Sequence, residues 1–99
     1  MQAQILETVI YKPKAEVDPQ LALEKIQSVL DPFLRKQSGL VKAWRSRTED
    51  GTLVDTVLWA DEASFQATQA AERNEPALGP VFALFDEKSL AMFHARIFE

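Results

Sequence analysis

Leu40-Val41-Lys42-Ala43-Trp44-Arg45-Ser46-Arg47-Thr48-Glu49-Asp50-Gly51-Thr52-Leu53-Val54-Asp55-Thr56-Val57-Leu58-Trp59-Ala60 decides the architecture of this chain. Leu40 to Thr48 and Leu53 to Ala60 are rich in β-branched, aromatic and other strand-favouring residues. Between them lies Glu49-Asp50-Gly51-Thr52. Asp-Gly between two such runs signals a hairpin, because glycine enters the positive-φ region without a Cβ clash. The two runs are therefore expected as antiparallel neighbours.

Working outward, Ile5 to Lys12 reads as an earlier strand, stopped by Pro13. Asp18-Pro19 opens a helix: Asp18 suits the cap, and Pro19 suits the first turn, where its missing N–H costs nothing. Leu23, Ile26, Leu30 and Phe33 then recur at helical spacing, widened by Val29 and Leu34. Pro32 is expected to kink this helix or to start a last turn capped by Asp31. Gly39 is placed to end it. Beyond the hairpin, Asp61 caps a helix running through Phe65, Thr68 and Ala71 to about Arg73. Pro76, Gly79 and Pro80 break it, and Val81 to Phe85 is expected to add a turn or two. Ser89 to Phe98 is the last strand. The order βαββαβ predicts a ferredoxin-like α+β fold over residues 1–99 as one domain. Its four-stranded antiparallel sheet carries the helices on one face, and right-handed crossovers put the first and third strands at the centre.

Alternation along the strands bears on partners. The first strand places Ile5, Glu7, Val9 and Tyr11 opposite Leu6, Thr8 and Ile10. The third places Leu53, Asp55, Val57 and Trp59 opposite Val54, Thr56 and Leu58. The fourth places Leu90, Met92, His94, Arg96 and Phe98 opposite Ala91, Phe93, Ala95 and Ile97. Both faces are largely apolar on the central strands, so alternation leaves open which one meets the helices. An uncovered apolar face marks an interface, and a homodimer joined sheet to sheet is the expectation.

Composition excludes several classes. The chain has 99 residues, 46% of them hydrophobic, and no cysteine, which removes disulfide scaffolds, thiolate metal sites and cysteine nucleophiles. A single histidine removes multi-histidine metal centres. Eleven basic against fifteen acidic residues, net −4, do not suit a phosphate backbone, so no nucleic-acid partner is expected. No apolar run reaches the roughly 20 residues of a membrane span. Met1-Gln2-Ala3-Gln4 has no basic-then-apolar leader, which gives a cytoplasmic expectation. Phosphate-binding glycine loops and a nucleophile elbow are absent from the sequence.

The strand ending in Lys12-Pro13-Lys14, the helix closing at Ser38-Gly39-Leu40-Val41, the hairpin through Arg45 and Asp50-Gly51, and Leu58-Trp59-Ala60-Asp61-Glu62-Ala63-Ser64-Phe65 occur in a distinctive order. In that order the chain resembles the antibiotic-biosynthesis-monooxygenase-like domains of the dimeric α/β-barrel superfamily. The resemblance implies a homodimeric α/β barrel with a pocket between sheet and helices. It also implies, for some members, oxidation of phenols or hydroquinones by O₂ with neither metal nor flavin. The monooxygenases carry an Asn four residues before the strand Trp, where this chain has Asp55 before Trp59. Haem-degrading members need Asn, Trp and His where Glu7, Thr68 and Leu78 fall, so haem degradation is rejected.

The resemblance implies a small aromatic or quinol-type ligand, no cofactor and no metal. Asp55 and Trp59 share a sheet face at i, i+4: either Asp55 takes a phenolic proton while Trp59 stacks on the substrate, or Asp55 pairs with an Arg and Trp59 is core. His94 and Arg96 share a face near Glu7, as a proton shuttle and an anion grip, or His94 is a satisfied histidine at the dimer seam. Tyr11, Phe65, Phe82 and Phe85 line a pocket for a flat ligand or fill the helix–sheet layer. Arg45 and Arg47 are expected as exposed charges protecting an edge strand, and Trp44 as packing. A non-catalytic binding or accessory dimer is the alternative to an oxygenase.

Overall fold

The computed structural model describes residues 3–98. Met1, Gln2 and Glu99 lie outside it, so the leader reading falls partly outside the described residues. The strands are β1 (Ile5–Tyr11), β2 (Leu40–Arg47), β3 (Leu53–Trp59) and β4 (Ala91–Arg96). The helices are α1 (Pro19–Lys25), α2 (Asp31–Arg35), α3 (Glu62–Arg73) and α4 (Gly79–Phe82). All three strand neighbours are antiparallel, in the order β2-β3-β1-β4, so β1 and β3 are central as right-handed crossovers require. The fold is ferredoxin-like.

The punctuation acts largely as expected. Asp18 accepts from the Gln20 amide and Asp61 from the Ser64 amide, capping α1 and α3. Gly51 turns the hairpin at φ +90°, and Thr48, Thr52 and Lys12 hold the Asp50 carboxyl below its usual range. Gly39 adopts φ +91°, and a Cβ on it would collide with the Ser64 side chain, so the entry to β2 packs directly on α3.

Pro32 neither breaks nor restarts the helix. Ile26–Leu30 forms a π-helical turn that runs directly into α2, and the Asp31 amide reaches back five residues to the Ile26 carbonyl. Proline has no N–H to offer the ordinary i−4 carbonyl, and the widened turn absorbs that loss. Asp31 makes no side-chain cap here; it serves an ion pair described below. After α3, a 3₁₀ turn at Pro76–Leu78 leads into α4, and a second at Glu87–Ser89 occupies the expected start of β4. Pro13 and Phe85 form an isolated antiparallel bridge. Around it the Lys14 amide donates to the Leu84 carbonyl and the Asp86 amide to the Lys12 carbonyl, each across 2.9 Å.

The helix-facing side carries Ile5, Glu7 and Tyr11 of β1 and Leu53, Asp55, Val57 and Trp59 of β3, all buried. Tyr11 and Leu53 pack with Ala22, Ile26, Leu30, Leu78, Val81 and Phe85. Ile5, Val57 and Trp59 pack with Phe65. The opposite face carries Leu6, Ile10, Val54 and Leu58 partly exposed, with Phe93 and Trp44 about half exposed. Trp44 pairs in register with Thr56 on this side, so it is a surface residue of the open face rather than packing. No described helix is long and apolar enough to cross a membrane.

Candidate functional site

Two buried carboxylates stand on the helix-facing side, and their partners give them different characters. Asp55 on β3 accepts from the Tyr11 hydroxyl at 2.8 Å and from Arg45 Nε and Nη2 at 2.8 and 3.2 Å. Arg45, directly opposite on β2, also forks both oxygens of Asp31 at 2.9 Å. Burial opposes the Arg45 charge, but the hydrogen bonds to Asp31 and Asp55 outweigh it and hold the guanidinium protonated. Burial, reinforced by Asp55, raises the Tyr11 hydroxyl above its ordinary range, so Tyr11 remains a neutral donor. Both Asp55 oxygens are already engaged by Tyr11 and Arg45, so the ion pair is the reading of Asp55 that this geometry carries. Arg45 is correspondingly no exposed edge charge: its side chain is 16% accessible.

Glu7 on β1 takes Trp59 Nε1–H at 3.0 Å on one oxygen and Gln69 Nε2–H at 3.3 Å on the other. Burial raises its carboxyl above the usual range, and these two hydrogen bonds work against that rise. Trp59 is wholly inaccessible, so it cannot form a stacking wall for a ligand; its indole is core and its N–H fixes Glu7. His94 faces Glu7 across the β1–β4 ladder, with its ring tilted on Phe65 at a centroid distance of 4.4 Å. Arg96 turns to Glu62 at 3.6 Å, both side chains largely exposed.

A cleft of about 430 Å³ opens between α3 and the segment Pro76–Phe82. Gln69, Glu72, Arg73 and Glu75 supply its polar wall, and Pro76, Leu78, Gly79 and Phe82 the remainder. Glu72 is pushed up from 4.5 to about 7, first by burial, then by the charge of Glu7, with Arg73 opposing. It is a carboxyl that exchanges its proton near neutral pH, which suits a general acid or base. A smaller hollow of about 210 Å³ lies beside Lys12, Lys14 and the exposed Lys12–Asp50 pair. No described group of His, Asp and Glu could hold a metal ion.

Of the candidate catalytic and ligand-binding residues named from sequence, Phe82 alone lines the cleft. Tyr11 and Phe85 form an edge-to-face pair at 4.9 Å within the core, and Phe65 is core beneath His94. Gln69 and Glu72 were missed. Their signal was present: they stand four and seven residues after Phe65, on the inward stripe of α3, where apolar residues belong.

No protein-family model matches the chain, and no curated protein matches it. Solved structures do. A monooxygenase from the gene ActVA-Orf6 of Streptomyces coelicolor, in complex with nanaomycin D, matches at TM-score 0.76 and 13% identity, covering 98% of this chain and 89% of its own. SnoaB, a cofactor-independent oxygenase from Streptomyces nogalater, matches at 0.66 and 16%, covering 98% and 93%. A dimeric ferredoxin-like protein from an uncultured marine organism matches at 0.78 and 10%, covering 99% and 90%. The chain shares the ferredoxin-like fold of these structures.

Proposed function

We propose that the chain is a cofactor-independent oxygenase acting on a small aromatic or quinol-type molecule in the α3 cleft, with Glu72 as its base. The observation that carries this reading is a carboxyl titrating near 7 in a half-apolar cleft, backed by a second carboxyl, Glu7. Fold likeness to SnoaB and the ActVA-Orf6 monooxygenase supports it by analogy.

Glu72 takes the phenolic proton. The phenolate passes one electron to O₂, and the resulting pair of radicals joins as a peroxide on a ring carbon that still bears a hydrogen. The proton returns from Glu72 to the peroxide, which loses water. One oxygen atom stays as a carbonyl; the other leaves in water with the two hydrogens. Asp55 and Trp59 hold the sheet beneath this chemistry.

The working form is a homodimer joined through the open sheet face. The apolar residues Leu6, Ile10, Val54, Leu58 and Phe93 on that face support it, as does the dimeric description of the marine structure.

The test is oxygen uptake with hydroquinones and anthrone-type phenols, alongside thermal shift. Uptake that falls about 100-fold or more in Glu72→Gln supports the reading. A thermal shift without uptake moves the protein to a non-catalytic binding dimer, which the engagement of Asp55 by Arg45 and Tyr11 favours. Neither signal removes the ligand class.

A further inference from the structure

Gln69 joins the cleft to the buried carboxylate behind it. Its Nε2–H donates to Glu7 at 3.3 Å, and Glu7 is fixed from its other side by the Trp59 indole N–H, a group that can only donate. Two donors converging on one carboxylate leave the Gln69 amide a single satisfactory orientation, nitrogen toward Glu7. Its carbonyl oxygen is the other arm of the same amide. No described group donates to that oxygen, and Gln69 is a part-buried residue that lines the cleft. Glu7 thereby turns the oxygen arm of a cleft-lining amide away from itself.

We propose that Gln69 makes the cleft selective for hydroxylated, reduced aromatic rings over the corresponding quinones. A quinol or phenol O–H can donate to the Gln69 carbonyl. A quinone carbonyl brings a second acceptor against it and leaves both desolvated without a partner. The selection lets an oxidised product leave while its reduced precursor binds. This inference rests on the aromatic ligand class proposed above and adds the redox form that the cleft retains.

The test is anaerobic calorimetric titration of the purified protein with 1,4-naphthohydroquinone and 1,4-naphthoquinone, which differ in little beyond donor against acceptor oxygens. The chain has no cysteine for the quinone to alkylate. The wild type is expected to bind the hydroquinone roughly tenfold more tightly. Glu7→Gln keeps an acceptor for Trp59 and gives Gln69 an amide N–H to receive; Gln69 then turns its nitrogen to the cleft, and the preference collapses or inverts. Gln69→Leu abolishes the preference without touching the Glu7–Trp59 bond. Equal affinity for the two ligands in the wild type, or a preference unchanged in both variants, overturns the inference while the aromatic ligand class stands. Binding of neither ligand overturns both.

Discussion

The Tyr11 hydroxyl donates to Asp55 Oδ2 across 2.8 Å, at the inner end of a polar chain that runs through Arg45 to Asp31. The chain crosses β1, β3 and β2 and ends on α2, so it ties an edge strand to the helical layer. Every member is satisfied, and the sum is a network rather than isolated pairs.

Removing its centre leaves two carboxylates facing each other without a cation. Arg45→Ala should lose about 3 kcal/mol, and the melting temperature should fall by roughly 10 °C or more. Arg45→Lys should recover only part of this, since an ammonium cannot fork Asp31 while reaching Asp55. Thermal unfolding of both variants checks the order; equal stability for Arg45→Ala and wild type would show that the network contributes nothing.

At Gly39, positive φ and contact with Ser64 coincide. Gly39→Ala meets both penalties and should cost at least ~2 kcal/mol. Gly51 has the same φ but open space around it, so Gly51→Ala should cost about 1 kcal/mol from backbone strain alone. Urea titration of the pair separates steric from conformational cost.

The Glu72 carboxyl binds a proton in the folded chain between its ordinary 4.5 and about 7, a window in which the unfolded chain has released it. Its contribution to stability is greatest below 4.5 and falls as pH rises to about 7. Glu72→Gln should therefore match wild type near pH 4.5 and exceed it at about pH 8 by on the order of 2 kcal/mol. A gap that does not change with pH would mean that the Glu72 charge is solvated.

Phe93 stands 56% exposed on the open sheet face, midway along the edge strand β4. Phe93→Asp should yield a particle with the mass of one chain by light scattering, with the far-ultraviolet spectrum retained. A dimer surviving that change would place the interface elsewhere.

The helix and strand order was legible because local chemistry sets it: Pro13, Asp18-Pro19, Asp50-Gly51 and Asp61 each act within a few residues of themselves. The central placement of β1 and β3 followed from handedness. What stayed hidden depends on distant neighbours. Arg45 looked like edge protection because its partners, Asp31 and Asp55, lie 14 and 10 residues away on other elements. Alternation could not say which face is inner, since both are apolar; helix packing on Tyr11, Leu53 and Trp59 decides it. The cleft stayed hidden even though Gln69 and Glu72 fall on the inward stripe of α3, because Glu7, the carboxylate behind them, lies 62 residues from Gln69 on β1.

The Pro13–Phe85 bridge fastens the outer cleft wall at its C-terminal end to the end of β1. Amides of this kind surrender hydrogen to deuterium only when the structure holding them parts. Lys14 and Asp86, bonded on either side of that bridge, are thus a built-in clock: their exchange measures how often the wall comes away from the sheet, and a ligand seated in the cleft would slow it.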